Sequence, residues 1–222
     1  MQPGGRAGKV GGKYEALWAV RRLLHVLAGE LTSVTIEGVG LDEPGVDVWS
    51  EDPHGVRHAE QCKRKGGSAS AWTIGQLVTD VLANAQFQLD RSPRHRFRLV
   101  TNVAGGPFES LSEEARSSDV AGALVASWRT HRTLGPAFTD LCAAWSLSPV
   151  NDDDAAVAVA MLKRCDVQRF DDGAALDADL RSIVLGLIDA SASSAVAALY
   201  DLVTRKDNWG QPLDAGAIWR RL

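Results

Sequence analysis

The sequence predicts a mixed α/β fold: an α-β-β-β-α-β block over roughly the first hundred residues, followed by an all-helical region. Three observations carry this. Apolar residues recur at three- and four-residue steps between Gly12 and Gly29, and again between Ser70 and Leu89, the spacing of amphipathic helices. β-Branched runs bounded by glycine and proline fill positions 33–63 and return at Phe97–Thr101. After Asn102 strand patterns almost vanish, and alanine, leucine and aspartate dominate.

The first helix shows Leu17, Val20, Leu23, Leu24 and Leu27 on one face. Ser33–Glu37 reads as the first strand. Gly38, Gly40, Pro44 and Gly45 punctuate the chain before a second strand at Val46–Ser50. Asp52-Pro53-His54-Gly55 is a turn sequence, and Val56–Lys63 is a third strand. Tight turns between three strands predict an antiparallel meander. Gly66-Gly67-Ser68 opens a loop, and the second helix follows with Ile74, Leu77, Val78, Val81 and Leu82 inward. Because a helix separates the fourth strand, Phe97–Thr101, from the third, the fourth is expected to pair in parallel with an earlier strand. Further helices are expected at 108–116, 119–130, 134–145, 152–164, 174–189, 191–205 and 214–221. The change of character near residue 105 divides the chain into 1–105 and 106–222.

Composition bounds the function. The chain has 222 residues, 45% hydrophobic and 23% charged, with a net charge of -4. That balance fits a soluble domain with a real core and excludes a disordered chain. There is no run of apolar residues long enough to span a bilayer, so no membrane partner is expected. Met1–Arg6 has no apolar stretch behind it, unlike a secretory signal. Cys62, Cys142 and Cys165 form no close pair, which points to a reducing cytoplasm and no zinc site. Residues 1–100 carry a net charge of +2 and residues 101–222 of -6. Nucleic-acid contact is therefore expected from the first half. No Gly-x-x-x-x-Gly-Lys-Ser/Thr sequence exists, so no P-loop is present.

The chemistry concentrates in Val46-Asp47-Val48 and Glu60-Gln61-Cys62-Lys63. Strand alternation puts Gln61 and Lys63 on one face of the third strand and Glu60 and Cys62 on the other. Asp47, on the neighbouring strand, is expected to meet Gln61 and Lys63. An acid, an amide oxygen and an ammonium suit metal-assisted phosphodiester hydrolysis. The acid holds a divalent cation, the metal polarises a phosphate, and the lysine orients water or meets developing charge.

Asp47 followed by Gln61-Cys62-Lys63 resembles the core of the PD-(D/E)XK, or restriction-endonuclease-like, nucleases, in the branch where Gln replaces the second acid. Gly12-Lys13-Tyr14-Glu15, Trp72-Thr73 and Val100-Thr101-Asn102 add to the resemblance. Together they resemble the N-terminal double-stranded-DNA endonuclease domains of bacterial antiphage proteins, namely CBASS effectors and Avs-like STAND NTPases. The resemblance covers about residues 8–105. Residues 108–222, with Phe138–Trp145 and Ile218-Trp219, resemble more weakly the segment linking such a nuclease to its NTPase.

The resemblance implies Asp47 as principal metal ligand, Gln61 in the second ligand position, the Cys62 carbonyl as a further ligand and Lys63 as the catalytic lysine. Glu15 would be a supporting carboxylate. Because a neutral amide at Gln61 is a weak ligand, Glu15 or Glu37 is expected to complete the charge around the metal. Mg²⁺ is the implied cofactor, with Mn²⁺ as substitute.

Arg64 and Lys65 follow Lys63 and are expected to touch DNA phosphates. Arg91, Arg94, His95, Arg96 and Arg98 form a second basic cluster, read equally as a flank of a DNA cleft or a solvated turn. Trp18, Trp128, Trp145 and Trp219 are expected as core or interface anchors. Trp49 shares the strand face of Asp47 and is placed either at the site's border or in the core.

The expected function is thus a metal-dependent endonuclease cutting double-stranded DNA, gated by homo-oligomerisation in an antiphage effector. Its NTPase or sensor would lie beyond Leu222 or on another chain. The alternative is a non-catalytic nuclease-like module that binds nucleic acid or a partner, a reading kept alive by the neutral Gln61. A weaker third is an RNA-directed nuclease.

Overall fold

The computed structural model describes residues 7–66, 70–171, 173, 178, 182–184 and 192–222. The fold is mixed α/β. Two compact units emerge, one formed by residues 1–64 with 170–222 and the other by residues 65–169. These bounds differ from the sequence division at 105, because the chain returns to its first helix from Phe170 onward.

The first unit begins with α1 (Ala7–Leu27). Strands β1 (Ser33–Ile36), β2 (Val48–Glu51) and β3 (Arg57–Lys63) follow. They pair antiparallel in the expected meander, with Val34 opposite Ser50 and Val48 opposite Glu60. The later part of the chain adds α8 (Ala192–Thr204), a 3₁₀ turn at Lys206–Asn208, β6 (Pro212–Leu213) and α9 (Ala215–Trp219). Strand β6 pairs antiparallel with β1, Val34 opposite Leu213.

Helix α1 packs on β1 and β3, and α8 packs on α1. The apolar stripe seen in the sequence is what it buries: Val20, Leu23 and Leu24 lie in the core with Val34, Ile36 and Val48. Phe170 closes this core, its ring edge-on to Trp18 with 5.1 Å between ring centroids. Tyr14 donates its hydroxyl to the Phe170 carbonyl at 3.0 Å.

A buried ionic knot pins α1 to the sheet. Glu60, fully buried, accepts from the Trp18 indole at 2.6 Å and from the Ser50 hydroxyl at 2.7 Å, and it pairs with Arg22 at 3.1 Å. Glu60 thus faces α1, and the sequence expectation that it shares a face with Cys62 rather than Gln61 did not say what that face meets.

The second unit holds α2 (Ile74–Leu77), a π-helical stretch (Val78–Leu82), α3 (Ala83–Arg91) and β4 (His95–Thr101). Helices α4 (Pro107–Ser117), α5 (Ala121–Thr130), α6 (Leu134–Ala144) and α7 (Asp152–Leu162) follow, and then β5 (Cys165–Arg169). The single helix expected from Ser70 to Leu89 starts at Ile74, where the Thr73 N–H donates to the Gln76 side chain in a capping box. Within the π turn the Leu82 carbonyl accepts the indole N–H of Trp145 at 2.9 Å.

The expectation of an all-helical region after residue 106 is corrected by β5 and β6. Strand β5 pairs in parallel with β4, Phe97 opposite Cys165. Cys165-Asp166-Val167-Gln168-Arg169 alternates only weakly, so its sequence carries little strand pattern. Its place in the sheet comes from the parallel ladder and from the Arg98–Asp166 ion pair at 3.0 Å. Strand β6 is two residues long and invisible to periodicity. The helix expected at 174–189 lies largely outside the described residues. No helix among the described residues is long and apolar enough to cross a membrane.

Candidate metal centre

The centre is built in the first unit where α1 passes the ends of β1 and β2. Glu15 projects from α1, Glu37 follows β1 directly, and Asp47 precedes β2. Carboxylate oxygens of all three lie within 4.8 Å of one another. The backbone holds them there. The Glu37 N–H donates to the Asp47 carbonyl at 3.0 Å, and the Asp47 N–H donates to the Glu60 carbonyl at 3.0 Å. Asp47 also accepts the Cys62 N–H through Oδ2 at 2.6 Å. Glu37 adopts φ 49°, left-handed backbone that a side-chain-bearing residue seldom takes. Strain of this kind is held in place by surrounding structure and gathers at functional sites.

The electrostatics follow from the crowding. Burial pushes the Asp47 carboxyl up from 3.8 to about 6; Glu15 pushes the same way, while the Cys62 N–H and Lys63 oppose. Burial also raises Glu15, followed by Glu37, with Lys63 opposing. Glu37 is raised by burial, then by Asp47 and Glu43. The Cys62 thiol is driven far up by burial and by the surrounding acids, so it stays neutral.

The three carboxylates line a cavity of about 290 Å³. The rest of its lining is mostly apolar or aromatic: Gly12 and Ala16 from α1, Ile36 and Val48 from the sheet, Val203 at the end of α8, and Trp209, with Thr204 the one further polar side chain.

Of the residues the sequence singled out, the structure brings Glu15 and Asp47 together, with Lys63 close enough for its charge to act on both. Glu37, which entered the sequence reading only as a supplementary charge, is the third carboxylate. Gln61 is buried, 5% exposed, and its Oε1 has no hydrogen-bond partner. It does not line the cavity. Cys62 meets Asp47 through its backbone N–H.

Lys65 is corrected. Its ammonium donates to the Ala71 carbonyl at 2.6 Å and to Gln76 Oε1 at 2.8 Å, and it lies 4.8 Å from the centre of the Trp72 ring. Its backbone exchanges hydrogen bonds with the Asn102 side chain. Lys65 is thus a structural clip. Arg64 is exposed. Trp72 donates to Thr101 Oγ1 at 2.8 Å, so Trp72 and Thr101 clip loop to strand as well.

Three members of the second basic cluster are engaged internally, while Arg94 and Arg96 are exposed. Arg98 pairs with Asp166, Arg91 donates to Gln88, and His95 is buried against the Gln88 carbonyl. Trp18, Trp128 and Trp145 are buried, whereas Trp219 is 44% exposed. Trp49 is buried and does not line the carboxylate cavity; the Arg57 guanidinium lies 4.3 Å from its ring centre.

Sequence reasoning did not single out Trp209 or Val203. No local pattern ties them to Asp47, some 160 residues earlier in the chain.

No protein-family model and no curated protein matches the chain. Solved structures do resemble it. A Cap4 SAVED/CARF-domain containing receptor from Moraxella osloensis matches 91% of this chain and 44% of its own, at 15% identity and TM-score 0.53. The corresponding receptor from Acinetobacter baumannii matches 95% of this chain and 45% of its own, at 13% identity and TM-score 0.54. The Acinetobacter receptor with the cyclic trinucleotide 3'3'3'-cAAA matches at 14% identity and TM-score 0.51, over 88% of this chain and 43% of its own. The chain thus spans less than half the length of the structures it resembles, and the likeness is one of fold.

This finding overturns the expectation of an oligomerisation-gated endonuclease cutting double-stranded DNA. The structures that share the fold are receptors, one of them solved with a cyclic trinucleotide, and the restriction-endonuclease-like assignment gains no support from them. Of the sequence readings, the non-catalytic binding module accords better with this likeness.

Proposed function

We propose that this chain is a binding module of an antiphage receptor, and that its ligand is a phosphodiester-linked nucleotide held through a divalent cation at Glu15, Glu37 and Asp47. The observation that carries the reading is the cluster itself, three carboxylates within 4.8 Å on the wall of an open cavity. Fold likeness to Cap4 receptors supplies the antiphage setting and the nucleotide class.

The donor set fits a hard cation. All three groups offer oxygen, and Mg²⁺ and Mn²⁺ favour oxygen ligands. Burial and mutual repulsion raise all three carboxyls, so a bound cation would offset what the protein alone leaves uncompensated. The cation also resolves a conflict, because a bare acidic cluster repels phosphate. With the cation in place a phosphate can approach, and Lys63 offers its ammonium alongside. Buried free cysteines at 62, 142 and 165 suit a reducing cytoplasm.

A second reading concerns the same site. Lys63, whose charge reaches both Asp47 and Glu15, favours Mg²⁺-dependent hydrolysis of a bound phosphodiester. The cation would supply Lewis acidity, and Lys63 would stabilise charge developing on the phosphate.

One titration tests both. Fluorescence anisotropy follows labelled cyclic triadenylate, single-stranded RNA and a DNA duplex, each with Mg²⁺ and with EDTA, against the native chain and Asp47→Ala. Binding that needs Mg²⁺ and disappears in the variant is expected for at least one ligand. Binding indifferent to EDTA would reject the cation-bridged site. Running the same mixtures on a gel reads hydrolysis: products lost in Lys63→Ala favour it, and intact ligands reject it.

A further inference from the structure

The carboxylates occupy only part of the cavity. The rest of its lining is mostly apolar, with Val203 and Trp209 contributed by the C-terminal part of the chain, and a cation needs none of it. The Trp209 wall is built firmly. The Trp209 indole N–H donates to the Val203 carbonyl at 3.2 Å. Asn208, buried one residue earlier, donates its side-chain amide to the Leu202 carbonyl at 2.7 Å. The Gly210 N–H donates to the Ile36 carbonyl at 2.9 Å, tying the segment to the end of β1 next to Glu37. Gly210 has φ +71°, and a Cβ there would stand 2.9 Å from a Val39 methyl. Glycine is thus required where the chain turns from Trp209 into β6. Lys206, exposed, holds its ammonium 5.6 Å from the Trp209 ring centre.

We propose that this wall is a nucleobase subsite: Trp209 stacks on the base of the nucleotide whose phosphate is held at the carboxylate-bound cation. The inference rests on the cation-bridged reading above and adds what that reading leaves open, namely which part of the nucleotide gives affinity. A flat aromatic ring fits an apolar wall of this composition, and stacking tolerates any base. Ile36, Val48 and Val203 supply the surrounding apolar surface.

The test compares two ligands that share a phosphate, adenosine 5'-monophosphate and ribose 5-phosphate. Each is titrated calorimetrically into the full chain in saturating Mn²⁺. Mn²⁺ binding alone is measured first by electron paramagnetic resonance. The native chain is expected to prefer the nucleotide by about five- to 150-fold, the range of one aromatic–base stack. Trp209→Ala should abolish that preference while its Mn²⁺ affinity stays within about twofold of native. Trp209→Phe, which keeps an aromatic face, should retain part of it and guards against misfolding in the alanine variant. Equal affinity for the two ligands in the native chain, with Mn²⁺ bound, would overturn the subsite and leave the metal centre standing. An unchanged preference in Trp209→Ala would overturn it too. Absence of Mn²⁺ binding would overturn the metal centre, and the subsite with it.

Discussion

Replacing Asp47 by Asn should make the metal-free protein more stable while removing its response to divalent cations. The Asp47 carboxyl stands at about 6 in the folded protein against 3.8 ordinarily. A carboxyl raised on folding favours the folded state below its unfolded value, and that contribution is lost as pH rises through the folded value. The window therefore runs from about 4 to about 6, and above it Asp47 opposes folding. The difference corresponds to about 3 kcal/mol at neutral pH. That is an upper figure, because Asp47 lines an open cavity and keeps part of its surface exposed, so solvent relieves part of the burial penalty that causes most of the shift. Asn keeps an oxygen for the Cys62 N–H and removes the charge. A gain of about 1–3 kcal/mol would raise the melting temperature by about 2–12 °C for a chain of this size. Thermal unfolding of native protein and Asp47→Asn in EDTA, from pH 7.5 to 4.5, measures it. The variant should melt higher at pH 7.5, with the gap closing as the pH falls to 4.5. Added Mg²⁺ at pH 7.5 should raise the native melting temperature and leave the variant almost unmoved. A variant less stable than native in EDTA, or equal stabilisation of both by Mg²⁺, would refute the argument from crowded carboxylates.

Three further perturbations separate site from scaffold. Glu60→Gln leaves Arg22 without its buried carboxylate and should cost about 3–5 kcal/mol in urea unfolding, since a buried charge loses its partner. Lys65→Ala removes two charged hydrogen bonds, to Ala71 and Gln76, and should cost about 2–3 kcal/mol in urea unfolding while leaving nucleotide affinity by anisotropy unchanged. Lys63→Met should keep Mn²⁺ binding and weaken nucleotide binding about ten- to 150-fold, read by paired metal and ligand titrations, because a charge-assisted hydrogen bond to phosphate is worth about 1.5–3 kcal/mol.

The contrast between Gln61 and Glu37 shows which part of the site the sequence could deliver. Strand alternation is a local rule: it separates Glu60 from Gln61 by face, but it does not forecast that Glu60 meets Arg22 on α1. The same rule groups Gln61 with Lys63 by face, but face alone does not say which groups meet. Gln61 ends buried outside the cavity lining, and the third oxygen donor comes from Glu37. Glu37 gets there through a left-handed residue that no periodicity forecasts, since φ 49° is a cost only the assembled neighbourhood sustains. The meander, α1 and Asp47 with Glu15 were legible because turns, amphipathic spacing and motif spacing are all encoded within a few residues. Strand β5 and the Trp209 wall were not. Each is defined by a partner far away in the chain, Phe97–Thr101 for β5 and the end of β1 for Trp209. The same distinction bears on function. Asp47 and Lys63 read as a nuclease while they stood alone with Gln61. In the folded chain Asp47 lines a pocket with Glu15, Glu37 and Trp209, to which the chain's own C-terminal return contributes, and Lys63 acts on it through its charge. A pocket lined by three carboxylates and an indole is what the nucleotide-binding proposal is built on.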